Sequence, residues 1–206
     1  INEANKRANR SMVISKANKR AAKIAITNIA PCEEYGMPAV GVAPTSLRNC
    51  AKNKAKATGH AGHGACNTTI LAWTFRKSKF RRCTTADPRV SIPLKQLSTW
   101  MRLYHEADMD KKQIIHRNWH KTLGKLANPE GRWLRVKGPM AATIATLLDM
   151  DWKPIQACKW KERTGDDIHD FSHIRGVSDH KVEHTLEMHL LDKIWKEAAE
   201  GHNNGG

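Results

Sequence analysis

Residues 137–171 read KGPMAATIATLLDMDWKPIQACKWKERTGDDIHDF, and the pattern changes at Trp152. The part before Trp152 is apolar and has Pro139 at its first helical position, which predicts a short buried helix. The part after it lacks a helical period and has Gly165 at a turn, which predicts a small β-hairpin near 152–171. Because the rest of the chain shows helical spacing, we expect a mainly α fold with this one small hairpin.

Three further helices are predicted around this stretch. Pro93 is expected to open one, a second is expected near 111–126, and Ser178 is a candidate N-cap of the last. Apolar residues recur at three- or four-residue spacing in all three and are expected to face inward. They are Leu94, Leu97, Met101 and Tyr104 in the first, Ile115, Trp119 and Leu123 in the second, and Leu186, Leu190, Ile194 and Ala198 in the last.

Two basic helices are predicted nearer the start of the chain. The first covers 14–29, with Pro31 after it, and the second begins near Thr45 or Ser46, which are suitable N-caps. In the first helix, one side is apolar and is expected to face inward: Ile14, Ala17, Ala21, Ile24 and Ala25. Its cations recur on the other side, which predicts an amphipathic helix with a basic outer face.

Positive charge is concentrated in the first half of the chain. The net charge is +15, but residues 1–95 contain 18 Lys and Arg against 4 Asp and Glu, whereas residues 96–206 contain 17 against 16. We expect a basic helical segment that contacts nucleic acid over 1–95, and a helical segment with the small hairpin and the C-terminal helix over 96–206. At 206 residues the two are expected to form one continuous unit. A field of this sign attracts polyanions, and nucleic acid is the expected partner; the alternative is a basic surface that serves solubility alone.

The densest basic cluster lies at 76–82, where cations alternate with Phe75 and Phe80. This combination suits phosphate pairing together with base stacking. The candidate nucleic-acid-binding residues, from this cluster and the two basic helices, are Lys16, Lys19, Arg20, Lys23, Arg48, Lys52, Lys54, Lys56, Arg76, Lys77, Lys79, Arg81 and Arg82.

Two histidine patterns raise an alternative function, a small zinc-binding module or a zinc-dependent hydrolase. HKVEH at 180–184 has the H-x-x-E-H spelling of inverzincin proteases, but the downstream glutamates belong to the same predicted helix and are poorly placed as a third ligand. We interpret it as the solvated edge of a helix. The second pattern, Cys50, His60, His63 and Cys66, offers ligands for a structural zinc ion, although its spacing matches no standard finger.

Other sequence features exclude several classes of protein. No G-x-S-x-G motif occurs, and the glycine-rich loop at 59–64 lacks the Gly-Lys-Ser/Thr ending that holds nucleotide phosphates. No apolar run approaches the roughly 18 residues of a membrane span, so no membrane partner is expected. Five cysteines without a C-x-x-C pair indicate reduced thiols and an intracellular location, cytoplasmic or nuclear. The first residue, isoleucine, suggests a piece of a longer translation product.

The order of the pieces resembles a known family. RAAKIAITNIAPCEEYGMPAVGVAPTSLRNCAKNKAKA followed, after a polar loop, by ADPRVSIPLKQLSTWMRLY is similar to the region downstream of the polymerase palm in non-LTR (LINE-type) retrotransposon reverse transcriptases. The resemblance covers residues 7–160 and rests on order and spacing. It implies a mostly helical thumb or connection segment that grips an RNA or DNA template-primer and belongs to a retroelement polyprotein.

The catalytic signature of that family is missing from this sequence. Reverse transcriptases hold two Mg²⁺ ions with paired aspartates in a Tyr/Phe-x-Asp-Asp hairpin, and no such tetrapeptide occurs. The one pair of adjacent aspartates, Asp166 and Asp167, follows charged residues and is interpreted as a solvated turn. We therefore expect no catalytic residue and no cofactor here, with Mg²⁺ only in the absent polymerase palm.

Overall fold

The computed structural model describes residues 2–24, 34–60, 64–75, 86–162, 167–172 and 177–203. They form eight α-helices, two 3-10 helices and a three-stranded sheet, so the predicted mainly α fold with a small β element is confirmed. The elements are α1 Asn2–Ala17, a 3-10 helix Lys19–Lys23, α2 Met37–Val40, α3 Pro44–Ala57, α4 Asn67–Phe75, α5 Pro88–Glu106, α6 Met109–Leu126, a 3-10 helix Arg132–Arg135, α7 Gly138–Asp149, β1 Lys153–Gln156, β2 Lys159–Lys161, β3 Ile168–Asp170 and α8 Val177–Asn203.

The chain divides into two compact units. The first unit contains Ile1–Tyr35, Ala43–Ile92 and Leu190–Gly206, and the second contains Gly36–Val42 and Pro93–His189. The two units are not consecutive segments of the chain, because 36–42 belong to the second unit and the end of the last helix belongs to the first.

Tryptophans fill the core of the second unit. Trp100, Trp119, Trp152 and Trp160 are all buried there. The indole nitrogen of Trp100 donates to the carbonyl of Ala157 at 2.9 Å, and that of Trp119 donates to the carbonyl of Pro154 at 3.0 Å. These hydrogen bonds satisfy the polar end of each ring and tie α5 and α6 to the β element.

Helix α7 and the sheet follow the pattern of the 137–171 stretch. Every residue from Ala141 to Leu147 is buried, as expected for a helix that is apolar on all sides. The sheet order is β1-β2-β3, antiparallel throughout, with Trp160 opposite both Pro154 and His169. Pro154 lies on the edge strand β1, where a missing backbone N–H is tolerated.

The predicted start of α5 at Pro93 is wrong. The helix begins at Pro88, and the Asp87 carboxylate caps it by accepting from the backbone N–H of Arg89 at 2.9 Å. Pro93 lies inside the helix. The predicted inward residues Leu97, Met101 and Tyr104 are buried, because the period of the apolar residues does not depend on where the helix begins. Helix α3 likewise begins one residue before the predicted Thr45, at Pro44.

The helix predicted over 14–29 is also corrected. Helix α1 covers Asn2–Ala17 and ends before Asn18. The Asn18 side chain caps the following 3-10 helix by accepting from the backbone N–H of Arg20 at 3.0 Å. Ile14 and Ala17 are exposed, whereas Ala21 is buried. The predicted inward face therefore fails for its first turn, and residues 25–29 lie outside the described part of the chain.

Helix α1 packs on α3 through small side chains. Ala8, Ser11 and Ser15 form its buried face, and the hydroxyls of both serines donate to the carbonyl of Ala57, at 3.2 Å and 3.0 Å. Ala57 is the last residue of α3, where carbonyls lack partners within the helix. Helix α1 thus satisfies the C-terminal end of α3 while it packs closely against it.

None of the helices in the described ranges combines the length and apolar character that crossing a bilayer requires.

Candidate nucleic-acid interface

Helix α3 carries three of the predicted cations on one side. Arg48, Lys52 and Lys56 are four residues apart, which places them in one stripe along the helix. Arg48 and Lys52 are exposed, and Lys56 is half-buried. The opposite side of α3 packs into the first unit through Leu47 and Ala51, which are buried. Burial of that apolar side fixes which way the stripe faces.

The cations of this stripe are weakly engaged by the protein itself. The only ion pair in the stripe among described residues joins Arg48 Nη2 to Glu197 Oε2 at 3.7 Å, on side chains that are 59 % and 33 % exposed. An exposed pair of this length contributes less than about 1 kcal/mol. Lys52 and Lys56 make no ion pair or side-chain hydrogen bond with another described residue. The stripe therefore keeps positive charge available to a partner.

Lys54, a predicted nucleic-acid-binding residue, is buried and does not belong to this surface. Its side chain is 2 % exposed, and its Nζ lies 3.7 Å from Glu34 Oε1. Two residues of helix turn the side chain by about 200° from Lys52, which carries it from the outer to the inner side. A buried ammonium group of this kind is retained because it has an anionic partner.

Further cations lie on α1 and on the 3-10 helix that follows it. Lys16, Arg20 and Lys23 are exposed, as predicted, and Lys16 and Arg20 have no ion pair within the described part of the chain. The side chain of Lys19 lies outside the described residues. Lys16 lies in the last turn of α1, where its positive charge interacts favourably with the negative end of the helix dipole.

Two cations of α1 were missed by the sequence analysis. Lys6 and Arg10 are exposed, four residues apart, and unpaired among described residues. They were missed because the helix was predicted to begin at Ile14. The repeat of Ala8, Ser11 and Ser15 at helical spacing would have indicated the earlier start, but small residues carry little apolar signal.

The densest predicted cluster cannot be placed on this surface. Arg76, Lys77, Lys79, Arg81 and Arg82 all lie outside the described residues. Helix α4 ends just before them, at Phe75, which is buried and so not available for base stacking.

Two aromatic side chains of the first unit are strongly exposed. Tyr35 is 91 % exposed and Trp73, on α4, is 70 % exposed. Aromatic rings of this kind are usually buried, so their exposure in a basic unit is informative. They offer flat faces on which unpaired bases can stack.

The candidate zinc ligands differ in their burial. Cys50 is buried in α3, His60 is exposed, and His63 lies outside the described residues. Cys66 precedes α4; burial alone would raise the pKa of its thiol, but hydrogen bonds from the backbone and side chains of Thr69 and Thr68 lower it. No group of three His, Cys, Asp or Glu side chains suited to a metal ion is found among the residues that the structure describes.

The HKVEH histidines lie on the outer side of α8. His180 and His184 are both exposed, and His180 Nδ1 is 3.8 Å from Glu183 Oε2. The two rings share a face, as expected for residues four apart. This placement agrees with the interpretation of the motif as a solvated helix edge.

A carboxylate held between two histidines lies in the second unit, and no local sequence pattern indicated it. Glu162 accepts from His169 Nε2 at 2.6 Å through one oxygen and contacts His189 Nε2 at 3.2 Å through the other. The indole N–H of Trp152 donates to His189 Nδ1 at 2.9 Å. His189 therefore carries its proton on Nε2. We interpret the arrangement as a structural network, since both Glu162 oxygens and both His189 ring nitrogens have partners within it.

Comparisons of the chain with models of protein families, with curated proteins and with solved structures found no match.

Proposed function

We propose that this chain is a non-catalytic, nucleic-acid-gripping segment, and that the first unit contacts the sugar-phosphate backbone. The observation that carries the proposal is the stripe Arg48, Lys52 and Lys56 on α3, which is held outward by the burial of the opposite side and is weakly engaged within the chain. Cations that are weakly engaged within the protein pair with phosphates and release counterions, which drives binding to nucleic acid.

The mode of binding follows from the residue types. Lysine and arginine at the backbone position a nucleic acid but carry no base information, so binding is expected to be largely independent of sequence. Exposed Tyr35 and Trp73 add stacking, which favours unpaired bases over a duplex. The preferred ligand is therefore RNA or DNA with a single-stranded portion, as in a template-primer.

We further propose that the chain is the thumb or connection part of a retroelement RNA-directed DNA polymerase. The support is the order of the two quoted sequence stretches, in which Tyr35-Gly36, Leu47-Arg48 and Asp87-Pro88 follow one another, together with the mainly helical fold. The test is the genomic sequence upstream of the codon for Ile1. A Tyr/Phe-x-Asp-Asp hairpin in a palm-like strand pattern supports the proposal, and an unrelated reading frame overturns it.

The binding proposal is tested by titrating a fluorescein-labelled RNA with the protein at several salt concentrations. Replacing the stripe, Arg48→Gln with Lys52→Gln and Lys56→Gln, is expected to lower the slope of log K against log salt by about 2 to 3 units, since each lost phosphate contact removes about 0.7 to 0.9. Thermal melting checks that the triple variant is folded.

The matched control removes the same charge elsewhere. Arg102, Lys153 and Lys181 are exposed, belong to the second unit and form no stripe. Their triple replacement by glutamine changes net charge equally and is expected to change the slope by less than about 1 unit. A wild-type protein that binds RNA without salt dependence contradicts the proposal, as does a stripe variant that behaves like the control.

A further inference from the structure

Helix α6 is basic although the second half of the chain is almost neutral. Residues 111–129 contain five Lys and Arg and no Asp or Glu, whereas α8 contains six acids. The net charge over 96–206 is therefore close to zero only because the basic α6 and the acid-rich α8 offset each other. The acid within α6, Asp110, and the N-cap Asp108 both lie at its first turn.

Three of these cations form a stripe. Arg117, Lys121 and Lys125 are four residues apart and all exposed, so they line one side of α6 over about 12 Å. The other side packs into the core through Trp119 and Leu126. From 117 to 125 the exposed residues are all polar or glycine, and the exposed apolar residues of α6, Met109 and Ile114, lie in its first two turns, before the stripe.

The stripe is unpaired, in contrast to the cations at the start of the same helix. Lys111 is paired with Asp108 at 2.7 Å, and Lys112 lies over the ring of Tyr104, 5.3 Å from its centroid. Arg117, Lys121 and Lys125 have no ion pair or side-chain hydrogen bond with another residue in the described ranges. Their charge is directed at solvent or at a partner.

Gly124 gives a second, independent indication. It lies within α6 on the exposed side, between Lys121 and Lys125, although glycine is the least favourable helix residue after proline. Among described residues, a Cβ added at Gly124 would meet nothing within 4 Å, so no packing within the chain requires a glycine there. A bare backbone between two cations permits close approach by a molecule from outside.

We propose that the exposed side of α6, formed by Arg117, Lys121, Gly124 and Lys125, is a second contact surface for the phosphate backbone of a nucleic acid, located on the second unit. It extends the proposed function, and rests on it for the class of partner. Arg117 and the two lysines pair with successive phosphates, and Gly124 lets the ligand backbone approach the helix. His120, exposed beside them, adds a further donor.

The test uses the full chain and the same labelled RNA. The variant Arg117→Gln with Lys121→Gln and Lys125→Gln is expected to lower the salt slope by about 2 to 3 units, against less than about 1 unit for the Arg102, Lys153 and Lys181 control. The conservative variant Arg117→Lys is expected to keep the wild-type slope, because a phosphate contact requires charge and not a guanidinium group.

The variant Gly124→Ala is expected to change stability and RNA affinity in opposite directions. Alanine is the better helix former, so the melting temperature is expected to rise by about 2 to 4 °C. At the same time the affinity for RNA is expected to fall several-fold, because the methyl group occupies the approach path. A variant that is more stable and binds RNA like wild type overturns the role of Gly124.

The outcomes distinguish this inference from the proposed function. If the α3 stripe variant loses salt dependence and the α6 variant matches the control, the α6 surface is refuted and the proposed function stands. If wild-type protein binds no RNA, the proposed function fails and the α6 inference fails with it. Poly-glutamate is used as a competitor at a carboxylate concentration equal to the phosphate concentration of the RNA. If it displaces the RNA from wild-type protein but not from the α6 variant, the α6 surface prefers acidic protein, and its assignment to nucleic acid is overturned.

Discussion

The ammonium group of Lys54 lies 3.7 Å from the carboxylate of Glu34 inside the first unit, with the two side chains 2 % and 11 % exposed. Lys52 and Lys56, two residues away on either side, lie on the outer side of the same helix. Helix α3 thus divides its lysines between a buried ion pair and a solvated stripe. The two groups are expected to respond differently to substitution.

Lys54→Ala is expected to destabilise the protein by about 3 to 5 kcal/mol, because it removes the cation that lies 3.7 Å from the buried Glu34 carboxylate. Lys52→Ala, the matched control on the outer side, is expected to cost less than about 0.5 kcal/mol. Urea unfolding of both variants measures the difference. Replacing the pair together, Lys54→Met with Glu34→Leu, is expected to recover most of the loss. Equal midpoints for Lys54→Ala and Lys52→Ala would show that the pair does not matter.

Gly41→Ala is expected to destabilise the second unit through overpacking. Gly41 has φ of +77°, and an added Cβ would come within 2.6 Å of Ala142 Cβ on α7 and 3.1 Å of the Trp133 ring. Gly36→Ala is the control, because Gly36 has φ of +74° but nothing within 4 Å of the added atom. Gly36→Ala carries the strain of a left-handed φ, about 1 to 2 kcal/mol. Gly41 has ψ of 165°, a conformation open essentially to glycine alone, so Gly41→Ala carries a larger backbone strain as well as about 1 to 3 kcal/mol of packing strain. Chemical denaturation that gives the same loss for both would exclude the close contact.

Glu162→Gln is expected to destabilise the protein by about 1 to 3 kcal/mol. Both carboxylate oxygens face histidine nitrogens, and the amide group of glutamine would turn its own N–H donors towards a ring N–H that needs an acceptor. Because Trp152 donates to His189 Nδ1, the wild-type ring is expected to show the Nε2-protonated tautomer in ¹⁵N NMR spectra. Observation of the Nδ1-protonated form would contradict the network.

Stability is expected to fall at alkaline pH through Cys158 and Tyr104. Burial raises the pKa of the Cys158 thiol, and burial together with a hydrogen bond to Cys158 raises the pKa of the Tyr104 phenol. The unfolded chain therefore loses these protons at lower pH than the folded chain. Their contribution is complete below the ordinary thiol pKa, about 8.5, and declines as pH rises towards the raised values. Urea midpoints from pH 8 to 11 measure the decline. Cys158→Ala is expected to make the dependence of the midpoint on pH shallower. An unchanged dependence would show that Cys158 does not contribute.

Trp73→Ala is expected to weaken binding to single-stranded RNA by about 1 to 3 kcal/mol while leaving duplex binding nearly unchanged, because a stacking platform acts on unpaired bases. Trp73 is exposed, so melting temperature should hardly change. Parallel titrations with a single strand and a hairpin of equal length measure the contrast. An equal loss for both ligands would assign Trp73 a role other than stacking.

The sequence by itself determined the elements that large apolar residues define. Ile115, Trp119 and Leu123 recur every four residues, and their inner face follows from helix geometry whatever packs against it. The small β element after Trp152 was likewise predictable, because loss of helical period and a turn residue are local signals. The asymmetry of charge between the two halves is a property of composition alone.

Only the tertiary structure decided which polar residues are buried and which small residues pack. Ser11 and Ser15 face inward because α3 ends beside them, and nothing in their local sequence specifies that neighbour. Glu162 and His189 are 27 positions apart, and folding brings them together. Lys52 and Lys54 are chemically identical, but their positions around the axis of α3 leave the first exposed and the second buried. A side chain's burial is set by what lies against it, and long-range contacts of this kind leave no periodic trace in the sequence.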